Sequence, residues 1–500
     1  MNIPAFVWLI AVPLLASPLA YLGGHMGRPS ANRRLNPARE VALAGLIVAW
    51  APFIGAAREL HRAGQISYSL GTVTLTLDGL ALLLAAVALA LGTLVVLYSG
   101  PYLARESGQE KYYAMLTAMV GVMVGLGCAG DLFNLWIWFE AMAVTSYLLV
   151  AFYREQPASL EAGVKYLVQS AAGSVLVLLG IGLVLAQAGT LNIAEVRAMH
   201  LPTSSLLATG ALFLIGFGVK TALVPLHTWL PDAHSQAPSG ISAMLSGVVI
   251  EAGLVALLRS LSALTAATPT WGSLLLGAGA LNMLAGNLLA LRQTHVKRLL
   301  AYSSLAHIGY MLLGLGIAVY AGETTGAQGG LFHLLNHGLM KGLAFLSAGA
   351  LLYTLHIAAG NHNPLTISDL SGAARRYPWP AFTLSLALLG LAGLPPLAGF
   401  MSKWQIFAAG FQTHNALISG LVIFAALNSV LSLAYYAPLV NAVYRQELSD
   451  TVRLGIPLPL AMNVPLLVLA LAVVAIGIWP DLVAWLTAPA GAALLAAFGT

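Results

Sequence analysis

The chain has 500 residues, of which 59% are hydrophobic and only 8% charged, with a formal net charge of +5. Soluble domains carry about a quarter charged residues, so this composition describes an integral membrane protein and leaves no polar segment long enough for a self-contained soluble catalytic domain. The single cysteine, Cys128, excludes an intrachain disulfide, a cysteine-based zinc site and an iron–sulfur cluster held by this chain alone, and the scattered basic residues argue against a nucleic-acid partner.

The first apolar run, "IPAFVWLIAVPLLASPLAYLGG", has no basic region ahead of it and is followed by Arg28, Arg33, Arg34 and Arg39, so it reads as a retained first span. About 20 apolar residues cross a bilayer as a helix. On that rule the expected spans are 3–23, 40–57, 78–99, 112–129, 132–152, 164–187, 204–227, 239–262, 271–291, 298–320, 327–356, 378–405, 414–443 and 457–479, about fourteen in all. The second loop, "ISYSLGTVTLTLDG", alternates around a central glycine and predicts a small hairpin. Beyond Pro480 the tail is too interrupted for a further span and is expected at the interface.

Two spans are interrupted. "GVKTALVPLHTWLPDAHSQAPSG" carries Pro225, Pro231 and Pro238, and "LGLAGLPPLAGFMSKWQ" carries Gly393, Pro395, Pro396 and Gly399. Proline removes a backbone donor and clashes with the preceding turn, so both helices should break within the membrane. Breaks in corresponding positions of two halves point to inverted repeats around an ion site. The expected organisation is one membrane domain over 1–500: helices 1–3 in 1–110, a first repeat in 111–265, a second in 270–445, and helix 14 with the tail in 446–500. Of the 22 Lys and Arg, 15 flank odd-numbered loops, 4 even-numbered loops and 3 lie inside spans. By the positive-inside rule the odd loops are cytoplasmic and both termini lie outside.

Lys220, Lys341, Lys403, Glu140 and Glu251 lie well inside apolar spans, where each costs roughly 2.5–3.5 kcal/mol or more unless paired or hydrated. A buried lysine whose carboxylate partner comes and goes can load and release a proton, and Glu140 and Lys220 are the candidates for such a pair. In "FHLLNHGLMK", His333, His337 and Lys341 recur every four residues and share one helix face. With His307 they make a graded set suited to relaying protons. His227, Asp232 and His234 fit no standard metal-ligand spacing, and a broken helix needs polar groups for its free backbone. Asp131 reads as a helix cap, and Glu161 with Lys165 as an i, i+4 ion pair.

Five segments in register, "DLFNLWIWFEAM", "GFGVKTALVPLHTWLPDAHSQAPSGISAMLSG", "VKRLLAYSSLAHIGYMLLG", "FHLLNHGLMKGLAFLSAG" and "GLPPLAGFMSKWQIF", resemble the antiporter-like subunits shared by respiratory complex I, Mrp-type cation/proton antiporters and membrane-bound hydrogenases. The resemblance runs from about residue 75 to 445. It implies an all-α integral membrane fold of about fourteen helices, two inverted five-helix repeats with helices 7 and 12 broken, and a hydrated polar axis. By motif it also implies that Glu140 and Lys220 form the coupling pair, that His333, His337 and Lys341 are the central relay, and that Lys403 exchanges protons with one side. Glu251 stands where many relatives carry lysine, and His295 where aspartate is common. With "GTLNIAEV", a lysine at helix 12 and no long transverse C-terminal helix, the resemblance leans toward the D-type Mrp and hydrogenase-like branch.

The expectation is a proton-translocating subunit of a complex I-type NADH:quinone oxidoreductase or membrane-bound hydrogenase, using Glu140, Lys220, Glu251, His307, His333, His337, Lys341 and Lys403. It would hold no cofactor itself; flavin, iron–sulfur, quinone or hydrogenase metal centres would belong to peripheral partner subunits. It would sit beside other membrane subunits in a prokaryotic inner membrane. The alternative is a subunit of a multisubunit Mrp-type Na⁺/H⁺ antiporter with no redox partner. A third is an ion-driven membrane anchor for another uptake enzyme.

Overall fold

In the structure, a computed structural model, residues 3–26, 36–199 and 202–499 are described. Arg28, Arg33 and Arg34 of the first loop lie outside them. Helices α1 (Ala5–Met26) and α2 (Pro37–Ala63) pack as a pair and lead into strands β1 (Ile66–Leu70) and β2 (Val73–Leu77). Next come α3 (Gly79–Tyr102), α4 (Gln109–Gly127), α5 (Leu132–Val150), α6 (Pro157–Ala188) and the short α7 (Ile193–Ala198). The first interrupted span is α8 (Thr203–Thr221) with α9 (Trp229–Gln236), followed by a rod of α10 (Ser239–Met244) and α11 (Ile250–Ser262) joined through a π-helical turn at Leu245–Val249. The second half continues with α12 (Thr268–Ala290), α13 (Val296–Ala321), α14 (Thr324–Leu355), the short α15 (Ala373–Arg376), and the broken span α16 (Pro378–Ala392) with α17 (Ala398–Gln412). The chain closes with α18 (Ala416–Val443), the short α19 (Asp450–Leu454), α20 (Leu460–Ile478) and α21 (Ala484–Phe498).

This is an all-α, multi-pass membrane protein. Among the described residues twelve helices are long and apolar enough to cross a bilayer, and two shorter apolar helices, Ser205–Thr221 and Pro378–Ala392, are the first halves of the broken spans. The predicted hairpin is present, pairing Ile66 with Leu77 through Leu70 with Val73. Gly71, at φ +62°, supplies the left-handed residue that its two-residue turn requires. The hairpin marks one face of the molecule. Asp78 caps α3 through the Ala81 N–H at 2.8 Å and accepts a two-pronged ion pair from Arg259 at 2.8 and 3.1 Å. Asp131 caps α5 through the Asn134 N–H at 2.7 Å and also takes the Thr74 N–H at 2.9 Å, tying helix to hairpin.

The tail forms a 3-10 turn from Pro480 running into α21, and together, as Pro480–Phe498, they have the length and composition of a span. Its contacts place it elsewhere. Pro489 meets Gly79 at the start of α3, Gly491 meets Gln328 near the start of α14, and the Phe498 carbonyl accepts from the Thr268 hydroxyl at the start of α12 at 3.2 Å. All three are hairpin-face ends, so α21 lies along that face. Ala5 of α1, bonded through its N–H to Glu59 at 3.2 Å near the end of α2, is on the same face.

In lipid, helices associate through close packing of small residues more than through hydrophobic burial. The centre follows that rule: the Gly173 and Gly216, Gly279 and Gly309, and Gly247 and Gly338 pairs each bring backbones so close that a Cβ would meet a facing carbonyl oxygen at 2.6–3.0 Å. α14 is the hub, with 94% of its apolar window buried, against 28% for α2 and α18. The polar stripe read from "FHLLNHGLMK" therefore lies at the middle of the protein.

Candidate functional site

The two breaks expose backbone groups that side chains must satisfy. At the first, Ala222 is held at φ 59°, a left-handed conformation costing an L residue about 1–2 kcal/mol. Asn282 of α12 secures it, accepting from the Val224 N–H at 2.9 Å and donating to the Ala222 carbonyl at 3.2 Å. At the second, Gly393 takes φ +87° and ends α16. Lys403 of α17 donates to the Leu391 and Ala392 carbonyls at 2.9 and 3.3 Å and to the Ser429 hydroxyl at 2.8 Å. Asn336 donates to the Ala398 carbonyl at 2.8 Å. Thus the lysine predicted at the second break is also its backbone partner.

Between the breaks runs a row of buried titratable groups. Lys220, at the end of α8, donates to the Tyr166 hydroxyl at 2.8 Å and the Ser170 hydroxyl at 3.4 Å. The Tyr166 ring stacks on Trp229 at 3.9 Å between centroids. Glu251 follows the π-helical turn, which re-aims the residues after it, and its Oε1 meets His337 Nδ1 at 2.7 Å. His337 and His307 rings lie 5.3 Å apart. His307 Nδ1 meets His333 Nε2 at 3.0 Å, and His333 Nδ1 meets the Ser402 hydroxyl at 2.9 Å. Tyr310 lies 5.8 Å from both His307 and His333, and Lys403 Nζ sits 4.6 Å over its ring. Lys341 donates to the Leu300 carbonyl at 2.8 Å and the Ser303 hydroxyl at 2.5 Å; Ser303 in turn bonds Tyr436.

The imidazole–imidazole bond needs one protonated and one bare nitrogen, so passing a proton along it reverses both roles. Glu251 Oε2 and His337 Nε2 are buried and have no protein hydrogen-bond partner. Each such atom costs about 1–3 kcal/mol if left dry, which makes this the place in the row best suited to water or to a proton in transit.

Glu140 is the other member of the expected pair. It is only half buried, and it forms no ion pair with Lys220 among the described residues; Lys220 Nζ lies 5.9 Å from the ring of the adjacent Phe139. The reason is local: hydroxyls from α6 hold the amine, while Glu140 keeps a buried Oε1 without a partner. Asp232 is bonded by Lys165 at 3.1 Å and Arg298 at 2.6 Å, and Lys165 also pairs with Glu161 at 2.8 Å. No group of three or more His, Cys, Asp or Glu is arranged to hold a metal among the described residues. His295 lies off the row, at the start of α13, bridged to Thr366.

Sequence reasoning missed the hydroxyls that join the titratable groups: Tyr166, Ser170, Ser303, Ser402 and Ser429. A signal existed in "YSSLAHIGY", where Ser303 and His307 share a helix face. It also missed the buried Lys297, which donates to the Ala237 carbonyl at 2.5 Å just beyond α9.

Residues 129–432 match the family described as NADH:quinone oxidoreductase/Mrp antiporter, transmembrane. F(420)H(2) dehydrogenase subunit N of Methanosarcina mazei is 33% identical over 83% of this chain and 84% of its own length. NADH-quinone oxidoreductase subunit N of Deinococcus radiodurans is 36% identical over 82% of each. A chain of the archaeal membrane-bound sulfane sulfur reductase superposes with a TM-score of 0.86 at 27% identity, covering 99% of this chain and 98% of that one. The matched segment contains both broken spans and the whole row, and the chain belongs to the NADH:quinone oxidoreductase/Mrp antiporter transmembrane family.

Proposed function

We propose that this chain is a proton-translocating subunit of a redox-driven membrane complex, of the NADH:quinone oxidoreductase or membrane hydrogenase type. One observation carries the reading: a buried run of contacts from Glu251 through His337, His307 and His333 to Tyr310 and Lys403 at the second break, with Lys220 buried at the first. Relatives named as dehydrogenase and oxidoreductase subunits support a redox partner. On this reading Glu140 and Lys220 are the coupling pair, drawn open here; closing it favours the ammonium form of Lys220, and opening it returns the proton to the row. Glu251 and His337 carry the proton across the centre, Lys341 sets the field between the halves, and Lys403 exchanges with one side of the membrane. Residues 111–265 and 270–445 act as the two inverted repeats. Electron-transfer centres belong to other subunits. The chain sits in a prokaryotic inner membrane with the hairpin face outward, consistent with the concentration of Lys and Arg at the opposite loops.

The test is turnover-linked proton uptake into sealed vesicles carrying the native complex. Lys220→Ala is expected to lower proton movement by about 100-fold, the scale of losing one positioned proton-transfer group, at unchanged abundance of the complex. Wild-type pumping in that variant would remove Lys220 from the mechanism. Pumping driven by a sodium gradient, with no electron donor required, would select the Mrp-type reading.

A further inference from the structure

Away from the row, the hairpin face holds a hollow of about 690 Å³ between the last turns of α2, the start of α3 and α21. Its walls include Ile54, Leu82 and Trp485, and its rim Arg58, His61 and Arg62. The three rim residues are exposed and spaced i, i+3, i+4, so they share one helix face. Glu59, the carboxylate on the same turn, is bonded to the Ala5 N–H at 3.2 Å, and neither arginine has an acidic partner among the described residues. Like charges four apart on a helix repel, and an anion seated between them removes the penalty.

The position adds weight. Only 4 of the 22 Lys and Arg flank the even-numbered loops, and two of those are Arg58 and Arg62. Cations placed against the general bias are better explained by a local ligand than by topology. Below the rim the surface is apolar and open: Ile54 is 48% and Trp485 53% exposed. Tryptophan at the level of charged side chains is the signature of a headgroup boundary, and arginine suits phosphate through paired N–H donors.

We propose that this hollow is a binding site for an anionic phospholipid, with its phosphate between Arg58 and Arg62 and its acyl chains along Ile54, Leu82 and Trp485. The site is separate from the proton row and joins α2 to α21 through a bound lipid. The native complex is moved into bilayers of equal parts phosphatidylglycerol and phosphatidylcholine, and retained lipid is counted per complex by native mass spectrometry.

A single Lys or Arg near an anionic surface is worth about fivefold in affinity, so R58Q/R62Q is expected to weaken phosphatidylglycerol binding roughly 25-fold. One phosphatidylglycerol fewer per copy of the chain in R58Q/R62Q, with phosphatidylcholine unchanged and R58K/R62K between wild type and R58Q/R62Q, supports the site. Equal phosphatidylglycerol retention in wild type and R58Q/R62Q overturns it. Displacement by inorganic phosphate alone overturns it in favour of a free-anion site. Loss of a neighbouring subunit from R58Q/R62Q with lipid unchanged overturns it in favour of a protein contact.

Discussion

Glu251 leaves the π-helical turn with one carboxylate oxygen on His337 and the other unbonded in a fully buried environment. A carboxylate can pass between charged and neutral forms while keeping its hydrogen bond to the imidazole, because either partner can hold the shared proton. Glutamine keeps the shape and loses that exchange. Glu251→Gln is therefore expected to leave the complex assembled and to reduce turnover-linked proton movement by about 100-fold. Glu251→Lys places an ammonium against the His337 ring, where the backbones of Gly247 and Gly338 already touch, and is expected to be at least as damaging. Proton uptake by vesicles, compared at equal content of the chain, checks both. Wild-type rates in Glu251→Gln would reduce the carboxylate to a packing role.

At the scale of elements, the two breaks are built from different residues toward one result. The first uses an alanine at φ 59° clamped by Asn282, the second a glycine at φ +87° with Lys403 over it. A Cβ at Gly393 would meet Lys403 Cδ at 3.1 Å and Nζ at 3.3 Å. Gly393→Ala is accordingly expected to cost about 1–2 kcal/mol from the left-handed backbone and also to displace the Lys403 amine. A lowered melting temperature of the purified complex together with impaired pumping is the expected outcome. A variant that melts early but pumps normally would show that the amine's position does not matter.

The whole molecule places its titratable groups where the bundle is most closed and leaves apolar faces on its periphery. α2 and α18 are 28% buried over their apolar windows and α1 and α6 33%. Such faces meet lipid or neighbouring subunits, and the half-buried Glu140 on α5 is within reach of a neighbour in a way that Glu251 is not. Mass spectrometry of the native complex, with an absorbance spectrum, is expected to find further membrane subunits and peripheral subunits carrying flavin or iron–sulfur centres in fixed ratio. Small membrane subunits alone, with no chromophore, would point to a gradient-driven antiporter.

Much of this was legible in the residues. Apolar run length sets where helices cross a membrane, proline and glycine set where they break, and alternation around one glycine set the hairpin, because each is a local property of backbone and solvent. The isolated charges in those runs marked the row for the same reason: they are costly wherever they stand. What those charges touch is not local. The pairing of Glu251 with His337, the hold of hydroxyls on Lys220, the distance left to Glu140 and the resting place of α21 across the hairpin face depend on helices far apart in sequence and on a single π-helical turn. Only the packed bundle decides those, because direction and contact between helices arise from close approach of their backbones.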